Sequence, residues 1–376
     1  MEGQQLRNVD VDGHVTEPAD LWERYLPAEL RARAIRIEQN DQGWEYLSVD
    51  NRPSVMRPGI MGILGGIGMD ARELLTPGKV SYRDACPAAG YDGTARLTVM
   101  DAEKIDYALV YPTLGLLWER DVTDARLAAA YARAYNDWVF DYCAANPRRL
   151  GVVGQISLKD VDLAVAEVKR VAARGAKAVF LQPERVNGVR PSDPHFDPFW
   201  RACVETGLPV GLHVIARPPT ECAVPCWFGG TNYVHHVGIT FPSDVMYCFT
   251  HALMEGLFER HPKLRMVLLE AGGGWVYSFL ERLDHKMKMF SWATSLKRLP
   301  SEYFHDNVWV SIDPDEATTE PMAKLLGANK LMWASDYPHA DGQMGVVDEL
   351  YEMTPHMAEA DRNLILGENA VRLYKL

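Results

Sequence analysis

The chain has 376 residues, 47% apolar and 24% charged, a composition that fits an ordinary globular protein and excludes disordered and fibrous classes. Its formal charge of -12 argues against a nucleic-acid partner, because phosphate binding needs a basic surface. No apolar run approaches the roughly 18 to 20 residues that span a bilayer, and the polar start Met1-Glu2-Gly3-Gln4-Gln5 lacks the regions of a secretory signal. A cytoplasmic protein with no membrane partner is expected. The cysteines Cys86, Cys143, Cys203, Cys222, Cys226 and Cys248 form no CxxC framework and read as reduced thiols; Cys222 and Cys226 lack the second pair that a zinc site would need.

Short β-branched runs alternate with longer amphipathic stretches, the mark of a parallel sheet with helical crossovers, either a barrel or an open doubly wound sheet. The predicted strands, in chain order, are Asn8 to Gly13, Tyr107 to Tyr111, Gly151 to Ile156, Ala178 to Gln182, Pro209 to Val214, Arg265 to Glu270, Val308 to Ile312 and Lys330 to Ala334. Predicted helices include Arg126 to Asn146, Leu163 to Arg174, Phe199 to Thr206, Pro242 to Arg260 and Gly274 to Met289. Asp160 and Ser243 are candidate N-caps, and Gly175 and Gly207 candidate C-terminal stops. One domain over 1–376 is the simplest reading, since barrels with insertions reach this length.

From about Thr16 to Gly93 the rhythm breaks, which reads as a large insertion after strand one. At its centre, the run from Gly59 to Asp70 mixes glycines with apolar side chains. No strand precedes it and no helix follows, as a dinucleotide loop would require. A flexible apolar lid over a substrate pocket is the preferred expectation, an ordered buried loop the alternative.

The first strand ends Val9-Asp10-Val11-Asp12-Gly13-His14-Val15-Thr16-Glu17-Pro18. Strand residues two apart share a side, so Asp10, Asp12 and His14 point together into a barrel interior, where a bare carboxylate needs a partner or a cation. Other apolar strands end in His213, Glu270 and Asp336. Each alone could be a satisfied core group or a helix cap. Together, at the C-terminal strand ends where barrels gather functional groups, Asp12, His14, His213, Glu270 and Asp336 describe a metal ligand shell.

These residues and the segments Tyr111-Pro112-Thr113, Phe196-Asp197-Pro198-Phe199-Trp200, Leu269-Glu270-Ala271-Gly272-Gly273-Gly274-Trp275 and Ala334-Ser335-Asp336-Tyr337-Pro338-His339 resemble the amidohydrolase superfamily. The likeness is to its amidohydrolase-2 group, which includes aminocarboxymuconate-semialdehyde and resorcylate decarboxylase-like enzymes. The resemblance covers essentially the whole chain. It implies a (β/α)₈ TIM barrel, a metal held by Asp12, His14, His213 and Asp336, and a homodimer. Two departures matter: Asp12 stands where a histidine is usual, and Glu270 where the decarboxylases often have histidine. Both add hard oxygen donors, which shifts the expected metal from zinc toward iron or manganese. Charge counting favours two ions, since two divalent cations balance Asp12, Glu270, Asp336 and a hydroxide.

The leading expectation is a hydrolase in which the metal activates a water, with Asp336 as base, Glu270 second choice, and His339 protonating a leaving group or supporting Asp336. His251 is a weaker candidate. The alternatives are non-oxidative decarboxylation of an aromatic or unsaturated acid, oxygen activation at a di-iron site, and a barrel retained for binding alone. Trp118, Phe228, Tyr233 and Trp275 are candidate contacts for a small apolar or aromatic substrate, with Arg217 for its carboxylate.

Overall fold

The structure, a computed structural model, describes residues 6–215 and 233–376. All eight predicted strands are present: β1 (Val9–His14), β5 (Tyr107–Tyr111), β6 (Leu150–Gln155), β7 (Ala178–Leu181), β8 (Val210–His213), β9 (Met266–Leu269), β10 (Val308–Ile312) and β11 (Leu331–Trp333). They run parallel in chain order in one eight-stranded sheet. Helices cross between strands, and the whole is a (β/α)₈ barrel. Its strands are apolar almost throughout because both faces are covered: Val9, Leu109, Val153, Val179, Val267 and Val310 are all fully buried.

Helices span Ala125–Cys143, Val161–Ala173, Asp197–Thr206 and Val276–Met289. Asp160 caps the second through Leu163 N. Gly207 ends the third at φ +72, a left-handed turn that a side chain would strain. Ser243 is not a cap. The helix around it starts at Tyr233 and runs to Met254 with Pro242 inside it, so the proline falls within a helix that its neighbours' packing sustains.

Between β1 and β5, the stretch expected as an insertion carries an antiparallel sheet of β2 (Arg36–Gln39), β3 (Glu45–Val49) and β4 (Arg52–Pro53) and several short helices. The glycine-rich segment is packed: Met61–Leu64 forms a tight turn with Met61 and Gly62 buried. It is tied to the loop after β11 by two backbone bonds, Ile67 N to Pro338 O at 3.1 Å and Ala340 N to Ile63 O at 3.2 Å.

The first and last strands meet around Asp10. Its carboxylate accepts from Ser335 N (3.1 Å), Ser335 Oγ (2.6 Å) and Asp12 N (3.2 Å), and Asp336 N donates to Asp12 O at 3.1 Å. Arg96, from the helix Gly93–Ala102, is 2% exposed. It donates to His14 O at 3.0 Å, lies 4.0 Å from Asp10, and stacks 4.2 Å above the Tyr337 ring. A Cβ at Gly13 would come within 2.5 Å of the Arg96 guanidinium and 2.8 Å of Asp10, so only glycine lets this ion pair close beneath the strand end. Truncating one partner of a buried pair strands the other charge. Arg96→Met is therefore expected to lower unfolding stability by about 3 kcal/mol, with part regained in the Asp10→Asn, Arg96→Met double variant, as read by denaturant titration.

Candidate metal centre

His14 ends β1 and His213 ends β8, both fully buried. His14 Nδ1 lies 2.8 Å from Pro112 O and His213 Nδ1 2.8 Å from Val214 O. Carbonyl oxygens only accept, so both Nδ1 atoms carry hydrogen, and in the neutral rings both Nε2 atoms present lone pairs. Those lone pairs face each other at 3.1 Å. Asp12 Oδ1 stands 3.5 Å from each Nε2, and neither Asp12 oxygen has a hydrogen-bond donor among the described residues. Three acceptors in contact with no hydrogen between them are mutually repulsive unless a cation lies among them. A cation about 2.0–2.2 Å from each donor sets its ligands about 3.0–3.5 Å apart, which the three separations match. Burial first, then the neighbouring His339 and His213, holds the His14 pKa well below its usual value, consistent with a neutral ligand.

Asp336 joins from the end of β11, its Oδ1 3.3 Å from His14 Nε2. Glu270 follows β9, with Oε2 3.4 Å from His213 Nε2. Both acids have left-handed backbones, at φ +52, a conformation uncommon outside glycine that concentrates at functional sites. Asp341, absent from the expected ligand shell, joins Glu270 and Asp336 in a second group of ligand atoms within 4.8 Å of one another. The only sequence signal for it is an acid two residues after His339. Burial and then neighbouring carboxylates push the Glu270 and Asp336 pKa values well above the ordinary range.

His339 bridges the centre to the loop after β5. Its Nδ1 is 2.8 Å from Asp336 Oδ1 and its Nε2 2.8 Å from Thr113 Oγ1. The Thr113 hydroxyl donates to Val15 O at 2.5 Å, so it accepts from Nε2–H, and the remaining proton is shared between Nδ1 and Asp336. Glu17 holds that loop in place: its buried carboxylate accepts from Thr113 N, Leu114 N and Gly115 N at 2.8–3.2 Å. Burial pushes Glu17 up to about 7 even against these bonds.

The expected residues thus divide. Asp12, His14, His213, Glu270, Asp336 and His339 converge. Trp275 is half-buried beside Glu270, its indole N–H donating to Ala271 O at 2.9 Å. Trp118 is fully enclosed and packs edge-on against Tyr131, so its ring serves the core. His251 pairs with Ser192 Oγ at 2.7 Å on the helix Tyr233–Met254, away from the cluster. Arg217, Phe228, Cys222, Cys226 and the Tyr233 side chain lie outside the described residues. Cys86, Cys143 and Cys203 are free thiols.

A family profile described as amidohydrolase matches residues 87–376. The chain belongs to the amidohydrolase family. This amidohydrolase is an enzyme, and no helix among the described residues is long and apolar enough to cross a membrane. It is 26% identical over 294 residues to the gamma-resorcylate decarboxylase of Rhizobium sp. strain MTP-10005, covering 75% of this chain and 86% of that protein. Among solved structures it resembles an amidohydrolase from Mycobacterium avium subsp. paratuberculosis K-10, with a TM-score of 0.80, 26% identity, and 99% and 100% of the two chains covered. It shares the fold of a dihydroxybenzoic acid decarboxylase from Polaromonas sp. JS666 solved with bound manganese, with a TM-score of 0.67, 18% identity, and 99% and 98% covered.

The donor-free Asp12 carboxylate predicts a change of sign. In chelator-treated protein, Asp12→Ala is expected to be more stable than the parent by about 1–3 kcal/mol, because a buried unpaired acceptor is removed. With Mn²⁺ at a hundred times its dissociation constant, the parent should gain about 2.7 kcal/mol and the variant nothing. Paired denaturation curves with EDTA and with Mn²⁺ read both arms.

Proposed function

We propose that this enzyme is a metal-dependent, non-oxidative decarboxylase of an aromatic or unsaturated carboxylic acid. The observation that carries this reading is the cation cluster of Asp12, His14, His213 and Asp336 in a chain whose relative over three-quarters of its length is a decarboxylase. That support favours decarboxylation over the hydrolysis first expected from the residues.

Nuclearity follows from charge. Asp12, Glu270 and Asp336 lie against the two histidines and Asp341 joins Glu270 and Asp336, and two divalent ions balance four carboxylates where one would leave the pocket anionic and hostile to an acid substrate. Asp12, His14 and His213 would hold one ion and Glu270 with Asp341 the other, Asp336 lying between. Manganese or iron suits this oxygen-rich donor set better than zinc. Bound there, the ions supply positive charge that fixes the substrate carboxylate and offsets the negative charge developing as the C–C bond breaks.

The chain's own residues supply the proton. Loss of CO₂ leaves an electron pair on carbon, and a proton must take it. His339 is held at both nitrogens, donating from Nε2 to Thr113 and sharing the Nδ1 proton with Asp336. Burial lowers its pKa, so the ring gives up readily the proton it shares with Asp336. Trp275 offers an apolar face at the β9 rim, Arg217 is a candidate for a second contact to the acid, and the glycine-rich segment is bonded to the loop after β11 through Ile67 N and Ile63 O.

Mn²⁺-loaded enzyme screened against hydroxybenzoates and unsaturated dicarboxylates should release one CO₂ per substrate without oxygen, and retain two ions per chain by elemental analysis. Asp336→Asn should lower kcat by at least about 100-fold with the fold intact. Substrate turnover that requires dioxygen would move the assignment to the oxygen-activating reading, which the Glu270–Asp336–Asp341 group also fits. One ion per chain would sink the two-metal centre.

A further inference from the structure

Just past the end of β1, Glu17 turns its carboxylate onto the loop after β5. The side chain is fully buried, and burial pushes its pKa up to about 7. The groups that offset this are all backbone N–H donors. Oε1 accepts from Thr113 N at 3.2 Å and Gly115 N at 2.9 Å, and Oε2 from Thr113 N at 3.1 Å and Leu114 N at 2.8 Å. Both oxygens accept, so this arrangement calls for an ionised carboxylate. Such a charge held by amides is costly in an interior, and what it secures lies in the loop.

Thr113 stands where a capping side chain would serve the first N–H groups of the turn Leu114–Leu116, but its hydroxyl makes no such bond. That hydroxyl is spent on Val15 O at 2.5 Å and His339 Nε2 at 2.8 Å, so Glu17 takes over the cap. The same bonds reach a metal ligand. The peptide unit joining Pro112 to Thr113 gives its N–H to Glu17, and its C=O accepts from His14 Nδ1 at 2.8 Å. A trans peptide unit is a rigid plane whose N–H and C=O point to opposite sides, so a tilt that loses one bond loses the other. His213 is held independently, its Nδ1 donating at 2.8 Å to Val214 O at its own strand end.

We infer that Glu17 is a positioning residue for the cation centre and acts on two imidazoles at once, on His14 through the Pro112–Thr113 peptide and on His339 through the Thr113 hydroxyl. It touches neither ring's reactive side. By fixing the His14 Nδ1–H bond, it aims the Nε2 lone pair at the point that Asp12 and His213 share; by fixing Thr113, it leaves His339 only its Nδ1 face toward Asp336. This deepens the metal-dependent reading above and rests on it for the role of His14 as a ligand. Outer partners that orient a ligating histidine typically contribute roughly 10- to 100-fold to metal affinity or activity.

Glu17→Gln keeps the size of the side chain but offers one acceptor oxygen and turns an NH₂ toward the remaining N–H. In the full chain loaded with Zn²⁺, which is diamagnetic, ¹⁵N-histidine NMR should show the His14 Nδ1–H and His339 Nε2–H signals shifted or lost and the His213 Nδ1–H signal unmoved. Thr113→Val should move the His339 signal alone. By calorimetric titration, Mn²⁺ should bind Glu17→Gln at least about tenfold more weakly than the parent. If the glutamine variant does not fold, Glu17→Asp, which withdraws the same charge by one methylene, must give the same pattern. Movement of His213 together with the other two marks a general loosening and overturns the inference, as do unmoved His14 and His339 signals or an unchanged Mn²⁺ affinity. A parent that binds no Mn²⁺ removes the centre and the inference with it. Mn²⁺ binding without CO₂ release from any acid removes only the decarboxylase reading and leaves Glu17 in its role.

Discussion

A carboxylate and two imidazole lone pairs, packed against one another with no proton between them, set the terms for the rest of this protein. Asp12, His14 and His213 are almost fully buried, and each is aimed by a bond that removes its other options: the two Nδ1 atoms are spent on backbone carbonyls. In such an interior an unshared negative charge is costly. The arrangement makes sense as a fixed cage whose repulsion a divalent ion turns into attraction. The acids at the ends of β9 and β11 extend that cage outward.

Holding the cage requires the end of β1 to meet the segment that follows β11, and Asp10 makes that junction. In the sequence it is one of three alternating polar residues on the first strand, facing the same side as Asp12 and His14. Instead its carboxylate takes the backbone and hydroxyl of Ser335, one residue before Asp336, and is charge-balanced by Arg96 from below. Each displacement of that staple would move Asp336 directly. Glu17 plays the matching part on the other side, gathering the N–H groups of residues 113–115 so that Thr113 fixes the orientation of His339.

The mouth is divided by chemistry. The β1, β8, β9 and β11 ends carry acids and imidazoles, the β6 and β7 ends carry carboxamides, and Phe180 stands between them. The glycine-rich segment is a packed element of this mouth, bonded to the strand-eleven loop through its backbone.

Much of this was legible in the sequence because it depends on short-range pattern. Eight apolar runs separated by amphipathic helices determined a parallel sheet with helical crossovers, closed or open, and polar residues closing four of those runs marked Asp12, His14, His213, Glu270 and Asp336 as a shell, since a strand's period places its last residues at the mouth. What depends on side chains meeting across distant strands was decided by the tertiary structure alone. Asp10 and Arg96, 86 positions apart in the chain, have no local signature, and Asp341 becomes a third acid beside Glu270 only when the loop after β11 folds back. Trp118 read as a rim aromatic, yet packing took it into the core. Gln155 and Gln182 are ordinary in sequence, and only the fold anchors their amides on the Gly115 and Leu116 carbonyls.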